Sequence, residues 1–483
     1  MTRERVTRRT FLATGALAGA GLVAAPPFTG RARAWEWLQG GAEEPAGWAR
    51  VDAILARIVA PAFPDRVFDV IAFGAVGDGT KNCTQAFRAA IAACAAAGGG
   101  RVVVPAGRFL TGAIHLKSGV NLHVSDGATV AFSRDPKDYL PVVFTRWEGV
   151  ELMNYSPFIY AFGEKNVAVT GKGTLDGQAG PGYWWPWKGA RDVPPEATQM
   201  AARARLIEMG ARGVPVAERV FGDGSKLRPN FIQPYRCQNV LIEGVTIINS
   251  PMWEIHPVLC TNVTVRHVVI NSHGPNNDGC DPESCRDVLI EGCTFDTGDD
   301  CIALKSGRNE DGRRVNTPIE NVIVRGCIMK DGHGGVVIGS EASGGARHIF
   351  AEKCWMNSPN LDRALRLKTN SVRGGYIEHV YMRDCVVGEV AEAVVTADLF
   401  YEEGDKGKFP PSVRDIEVRG VTSRKSQYAL RLRGYTHTPI RDVRVIDCTF
   451  DNVARDDVVE GVTGLTLTNV RINGKTRNET ISR

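Results

Sequence analysis

Residues His273–Asp300 read HGPNNDGCDPESCRDVLIEGCTFDTGDD. In the inner run Asp287-Val288-Leu289-Ile290-Glu291-Gly292-Cys293, aliphatics fall at alternate positions, Val288 and Ile290, with an unrestricted residue between them, the period of a half-buried strand. Asn276, Asp278, Asp299 and Asp300 flank it. Asp278 and Asp299 stand 21 residues apart. If one structural repeat is about that long, both carboxylates lie on one face of neighbouring coils. Paired carboxyls are what acid-plus-base cleavage of a sugar bond requires.

The pattern of that inner run recurs: Asn, Asp or His, then an aliphatic, any residue, an aliphatic, polar positions, and Cys or Val. It starts at Asn166, Asn239, Asn262, Asp287, Asn321, His348, His379, Asp415 and Asp442. From Asn239 on, the intervals are 23, 25, 34, 27, 31, 36 and 27 residues. A constant strand with variable corners suits a parallel β-helix better than a propeller, whose blades need about 40–50 residues. Asparagine at a strand entry suits a tight left-handed corner. The fold class expected is all-β, a single-stranded parallel β-helix in which each coil contacts only its neighbours.

Before the repeats, Gly47–Ala60 reads as a short helix ended by Pro61, Phe68–Phe73 as a strand and Gly77–Thr80 as a turn. Asn82–Ala97 reads as a helix with Phe87, Ile91 and Cys94 on one face, stopped by Gly98-Gly99-Gly100 and placed to cap the first coil. Short strands follow at Val102–Val104, Gly119–Val124, Thr129–Phe132 and Phe158–Phe162. The longest interruption, 176–234, holds Tyr183-Trp184-Trp185-Pro186-Trp187 and a helix over Glu196–Gly210. It is either a packed side lobe or, through its aromatics and Arg228, a wall at one end of a groove.

The organisation expected is a leader, 1–34, a linker with a helix, 35–65, and the β-helix domain, 66–483, carrying the insertion 176–234. Thr7-Arg8-Arg9-Thr10-Phe11-Leu12, the apolar run Phe11–Ala25 and Ala32-Arg33-Ala34 form a twin-arginine export signal. The run is shorter than the ~20 residues of a membrane span. Export to the periplasm or beyond by the twin-arginine machinery is therefore expected. The leader holds six Arg and one Glu, so the formal charge of +4 becomes −1 without it. Bulk charge then points away from a nucleic-acid partner.

Twelve cysteines in an exported chain suggest disulfides. Yet Cys293, Cys327, Cys354, Cys385 and Cys448 share one inward repeat position, where a thiol packs as a small hydrophobe. Cys280–Cys285, Cys293–Cys301 and Cys83–Cys94 remain pairs that could bridge. Without a C-x-x-C pair a zinc site is not expected, and neither metal nor cofactor is called for.

Like charges crowded at Asp278, Asp299 and Asp300 cannot all stay ionised, so one carboxyl should hold a proton and act as an acid. Adjacent strand residues face opposite ways, so Asp299 and Asp300 converge only if the chain bends, which Gly298 permits. His333 lies 33 residues beyond Asp300, and Arg366 a further 33. Arg366 and Lys368 share a strand face. Two cations beside an acid/base cluster suit a sugar bearing a carboxylate.

Asn276-Asn277-Asp278, Gly298-Asp299-Asp300, the segment CIMKDGHGGVVIGS around His333 and Arg366-Leu367-Lys368 together resemble glycoside hydrolase family 28, the polygalacturonases, over roughly 66–470. The resemblance implies a right-handed parallel β-helix and hydrolysis of α-1,4-galacturonosyl bonds with inversion. It implies Asp299 as general acid, Asp278 and Asp300 as holders and activators of water, and His333 as the tuner of the acid. Asn276, Arg366 and Lys368 would bind galacturonate, and Tyr428 or Tyr401 would join them. Asn277 stands where the family usually has threonine. FDVIAFGAVGDGT, WWPW, RPNFIQPYRC and WEIHP look like exo-acting members, whose closed groove end would here draw on His256, Lys305 and Arg308. The pectic alternatives are a hydrolase of rhamnogalacturonan or decorated pectin and a calcium-dependent pectate lyase with an ultraviolet-absorbing product. A non-catalytic glycan-binding β-helix is the third.

Overall fold

All nine repeat starts adopt the left-handed backbone conformation, with φ between 53° and 60°. Side chains rarely tolerate it unless their polar atoms are used locally. Here they bond from coil to coil. Asn239 Nδ2 donates to Asn166 Oδ1 at 2.8 Å, Asn262 Nδ2 to Asn239 Oδ1 at 2.8 Å and Asn321 Nδ2 to Asp287 Oδ1 at 3.0 Å. Farther along, His348 and His379 stack with ring centroids 5.0 Å apart.

The computed structural model describes residues 47–189 and 193–483, so the export signal expected over 1–34 lies outside the described residues. Each corner leads into a strand of one parallel ladder. Val240, Val263, Val288, Val322, Ile349, Val380, Ile416 and Val443 form one inward rung series across eight coils. A second ladder stacks Ile302–Leu304, Val336–Gly339, Arg363–Lys368, Ala393–Asp398, Tyr428–Arg433 and Val458–Glu460. The core runs the length of the coil between the ladders, and burying each such aliphatic side chain contributes about 1.5–3 kcal/mol. All twelve cysteines are free and buried, so none of the three candidate pairs is bridged. Cys327 lies between Cys293 and Cys354, and Cys354 between Cys327 and Cys385, a thiol column along the axis.

Helix Thr84–Ala96 buries Phe87, Ala90, Ile91 and Cys94 in the same core. The residues expected as a strand over Phe68–Phe73 divide. Val67–Asp69 is extended; then the Asp69 carboxylate accepts from Ile71 N and starts a 3-10 turn, Val70–Phe73, ended by Gly74 at φ 91°. The expected turn at Gly77–Thr80 runs into a strand, Asp78–Asn82, that pairs irregularly with the next coil. Val51–Leu55 lies on the outside of the long ladder, with Trp48, Val51 and Ile54 packed on Leu289, Ile323, Phe350 and Tyr381.

A side lobe has its own apolar centre, which includes Trp147, Leu152, Leu206, Phe221, Met252 and Trp253. It is built from helix Met200–Ala211 and an antiparallel hairpin, Val143–Trp147 with Val150–Asn154. No helix among the described residues is long and apolar enough to cross a membrane.

Candidate active site

Successive coils bring the motif residues together by backbone pairing. Asp299 N donates to Asn277 O at 3.2 Å, and His333 N donates to Asp299 O at 3.0 Å. On the adjacent rung, Gly279 N donates to Asp300 O, and Cys301 N to Gly334 O. Strand Thr294–Thr297 stops at Gly298, where a Cβ would lie 2.4 Å from Gly274 O. This close approach, without left-handed torsion, makes glycine necessary and lets Asp299 and Asp300 both serve one site. Oxygens of Asp278, Asp299 and Asp300 lie within 4.8 Å of one another.

Each carboxyl has a different environment. Asp300 is fully buried; its Oδ2 accepts from Lys368 Nζ at 2.6 Å and its Oδ1 from Arg366 Nη1 at 3.4 Å. Lys368 can approach because Gly339 opposes it at φ 94°; a Cβ there would lie 2.1 Å from Lys368 O. Burial alone would lower the Lys368 pKa, but the Asp300 charge outweighs it and raises it. Asp299 Oδ1 meets His333 Nδ1 at 2.9 Å and accepts from Asp300 N at 3.0 Å, while Oδ2 accepts from Asn276 Nδ2 at 3.4 Å. Burial would raise the Asp299 pKa, but the hydrogen bond and charge of His333 dominate and hold it well below the usual carboxylate range. The same hydrogen bond raises the His333 pKa. Asp278 goes the other way: burial first, then the charges of Asp281 and Asp299, push it well above its ordinary value. Lys305 Nζ, 3.6 Å away, does not reverse this. Among the three, the shift toward the protonated form falls on Asp278, and buried Asp281 behind it is pushed up too, to about 8, whereas the resemblance assigns the acid role to Asp299.

These groups open onto a cavity of about 180 Å³ that is also lined by Glu148, Lys188, Arg203, Trp253, Lys305, Arg308, Ser340, Glu341, Tyr401 and Glu402. Its far wall is a charge lattice. Glu148 Oε2 accepts from Arg203 Nε at 2.6 Å and Arg308 Nη1 at 3.3 Å. Lys305 approaches Glu341 at 3.4 Å and stands 4.3 Å over the Trp253 ring.

The expectations fare unevenly. Asn276, Asp278, Asp299, Lys305, Arg308 and Lys368 line the cavity, while His333, Asp300 and Arg366 touch it through the carboxylates. His256 does not reach it. It is fully buried, with Nδ1 facing Asn230 and Gln233 and Nε2 facing Glu283 at 2.8 Å, so it braces the wall from behind. Tyr428 is also elsewhere: its hydroxyl takes a hydrogen bond from Arg455 at 3.0 Å. Tyr401 is the tyrosine at the site, with Lys368 Nζ 5.3 Å and the Arg366 guanidinium 5.6 Å from its ring centre. Tyr401 sits in a loop, where its carbonyl is held by Asn370. The WWPW aromatics pack. Trp184 is in the core and Trp185 Nε1 bonds Ser250 O at 2.8 Å. Arg228 is buried behind the site and holds Asn276 Oδ1 at 2.8 Å. Asn277 is a brace too: its Oδ1 accepts from Gly274 N and Ser272, and its Nδ2 donates to Ser250 and Met252 carbonyls.

Glu148, Lys188, Arg203, Glu341 and Glu402 escaped the sequence reading. Glu148 had a readable signal. Glu148 and Gly149 take φ of 43° and 81° between two apolar-rich runs, the two-residue hairpin turn that a Gly in second place announces. The others sit on a helix or in loops with no periodic mark.

The three aspartates could also group around a metal ion. Lys368, Arg366 and Lys305 already stand within 3.6 Å of them and oppose a second positive charge there. Outside the cavity, His273, Asp296 and Asp331 form another possible ligand group.

The family described as "Glycosyl hydrolases family 28" matches residues 218–474. A solved hyperthermoactive exopolygalacturonase from Thermotoga maritima is 46% identical, with a TM-score of 0.87, covering 91% of this chain and 99% of that one. An exo-poly-alpha-D-galacturonosidase of Dickeya chrysanthemi is 26% identical over 85% of this chain and 75% of its own. An endo-polygalacturonase of Pectobacterium carotovorum is also 26% identical, over 65% of this chain and 71% of its own. At that distance identity does not separate exo from endo action.

Proposed function

The chain belongs to glycosyl hydrolases family 28, and on that premise we propose that it hydrolyses the α-1,4-galacturonosyl bonds of polygalacturonate or its oligomers from a chain end. The observation that supports this is the meeting of three carboxyls, with oxygens within 4.8 Å, beside Lys368 and Arg366 in a cavity also lined by Lys188, Arg203 and Arg308. The likeness to the Thermotoga exopolygalacturonase supports the exo reading.

In the mechanism proposed, Arg366, Lys368 and Asn276 bind the galacturonate that straddles the bond. His333 and Asp299 share one proton across 2.9 Å, and Asp299 passes it to the leaving glycosidic oxygen as the carbon–oxygen bond breaks. Asp300, held by two cations, takes the proton of a water that attacks the anomeric carbon. Asp278 orients that water. The carboxyls are closer than the roughly 6.5–9.5 Å usual for inverting pairs, so the water is placed among three groups rather than between two. A second reading makes Asp278 the acid, and its raised pKa favours it. An aryl galacturonide with a good leaving group separates the two, because it rescues the Asn variant of whichever residue supplies the proton.

Digestion of a galacturonate hexamer tests the function. Single units should appear from the first time point, insensitive to chelator and without ultraviolet-absorbing ends. A ladder of oligomers would reject exo action; chelator-dependent unsaturated product would indicate a lyase. Rhamnogalacturonan as the preferred substrate would shift the assignment to decorated pectin.

We also propose that residues 1–34 direct export of the folded chain through the twin-arginine machinery, to the periplasm or beyond. The segment 35–65 then joins the leader to the catalytic β-helix of 66–483. Arg8→Lys with Arg9→Lys should abolish export, and normal export of that double variant would refute the proposal.

A further inference from the structure

The end wall contains one cation unlike the rest. Five cationic side chains line the cavity: Lys188, Arg203, Lys305, Arg308 and Lys368. Four are paired with protein carboxylates, Arg203 with Glu148 at 2.6 Å, Lys305 with Glu341 at 3.4 Å, Arg308 with Glu148 at 3.3 Å and Lys368 with Asp300 at 2.6 Å. The Lys188 ammonium has no carboxylate within 4.0 Å and no hydrogen bond among the described residues. Glu148, the acidic group that acts on it most strongly, already accepts from two guanidiniums.

Lys188 is nonetheless held in position. It ends the 3-10 turn Trp185–Lys188, which is pinned by the Trp185 indole on Ser250 O and by Gln199 N on Trp187 O at 2.7 Å. Burial, together with the charges of Arg228 and Arg203, lowers its pKa despite Glu148 and Asp299. An ammonium in such surroundings gains from an added anion. Arg366 and Lys368 are committed to Asp300, on the coil side of the same cavity. The site therefore offers cations on two sides, and among the described residues Lys188 is the one free of a protein carboxylate.

We propose that Lys188 binds the carboxylate of the terminal sugar seated against the end wall, and so requires that the unit released be a uronate rather than a neutral or esterified sugar. This rests on the galacturonate reading above and extends it to the identity of a single subsite.

The test compares kcat/KM on trigalacturonate with kcat/KM on the same trimer carrying a methyl ester on the unit to be released. A charge-assisted hydrogen bond corresponds to roughly 10- to 100-fold, so the wild-type protein should favour the free acid by at least about tenfold. Lys188→Met should bring the two substrates within about twofold of each other, and Lys188→Arg should retain the preference. A wild-type protein that turns over both trimers equally, or a Lys188→Met variant that keeps the full preference, would overturn the proposal while leaving galacturonate hydrolysis intact. If the wild-type protein turns over neither trimer, the galacturonate reading itself falls, and this inference with it.

Discussion

The cavity has two sides of different origin. Asp278, Asp299, Asp300, His333, Arg366 and Lys368 belong to the coil, placed by rungs that recur along the solenoid. Glu148, Lys188 and Arg203 come from a hairpin turn, a 3-10 turn and a helix added outside it, with Glu341 and Glu402 in loops between strands. A coil side chain inherits its position from the backbone pairing of its neighbours above and below. A wall side chain is positioned by ion pairs and by the lobe's own small core. On the proposed function, bond-breaking falls to the coil and choice of chain end to the wall.

The largest effects should fall on the coil. Asp299→Asn should lower kcat on polygalacturonate by at least ~10²-fold, with much of the loss recovered on an aryl galacturonide, whereas Asp300→Asn should stay impaired on both. Recovery in Asp278→Asn instead would transfer the acid role to Asp278. Replacing Lys368 by Met leaves the fully buried Asp300 with only the 3.4 Å contact to Arg366. Removing one partner of a buried pair costs about 3–5 kcal/mol, and Arg366 should reduce that figure, so denaturant unfolding should reveal a loss of up to about 3 kcal/mol. Unaltered stability would mean that the two cations are redundant.

A wall change should act differently. Glu148→Ala takes the carboxylate from Arg203 while Arg308 keeps Glu341, Glu402 and Glu403, so KM should rise and longer first products should appear while kcat falls less than about tenfold. A kcat loss as deep as that of Asp299→Asn would erase the distinction between the sides. The smallest effect concerns pH. The raised His333 pKa means that its stabilising charge is fully present below about pH 6.5 and lost as pH rises through the raised value. The depressed Asp299 pKa means that its contribution is present above about pH 3.9 and lost only as pH falls through the lower value. His333→Asn should therefore lower Tm more at pH 5 than at pH 9. Because the His333 side chain is 52% exposed, the difference should be a few degrees at most. An equal loss at both pH values would place the stabilisation in packing rather than charge.

The same division explains what could be read from the chain alone. Repeats are periodic, so Asn239, Asn262 and Asp287 announced both the strands and their left-handed corners, and the phase of Asp278, Asp299, His333 and Arg366 announced one face. Where the resemblance was the only guide it misled. Tyr428 lies on a strand in register with the cationic side but bonds Arg455, while Tyr401 arrives from a loop. His256 is on a coil yet faces Glu283 behind the cavity wall. Of the wall, Lys305 and Arg308 were named through the resemblance and Glu148-Gly149 left a turn signal, while ion pairs such as Arg203–Glu148, 55 residues apart, leave no spacing rule.

The most direct test of the central claim is proton NMR of the first sugar released from digalacturonate by the purified protein. Water delivered among Asp278, Asp299 and Asp300, on the face opposite the leaving oxygen, should give the β-anomer first, with the α form growing in only by mutarotation. Initial α-anomer would contradict direct attack by that water, and the absence of any free galacturonate would contradict the assignment of this cluster as a hydrolytic centre.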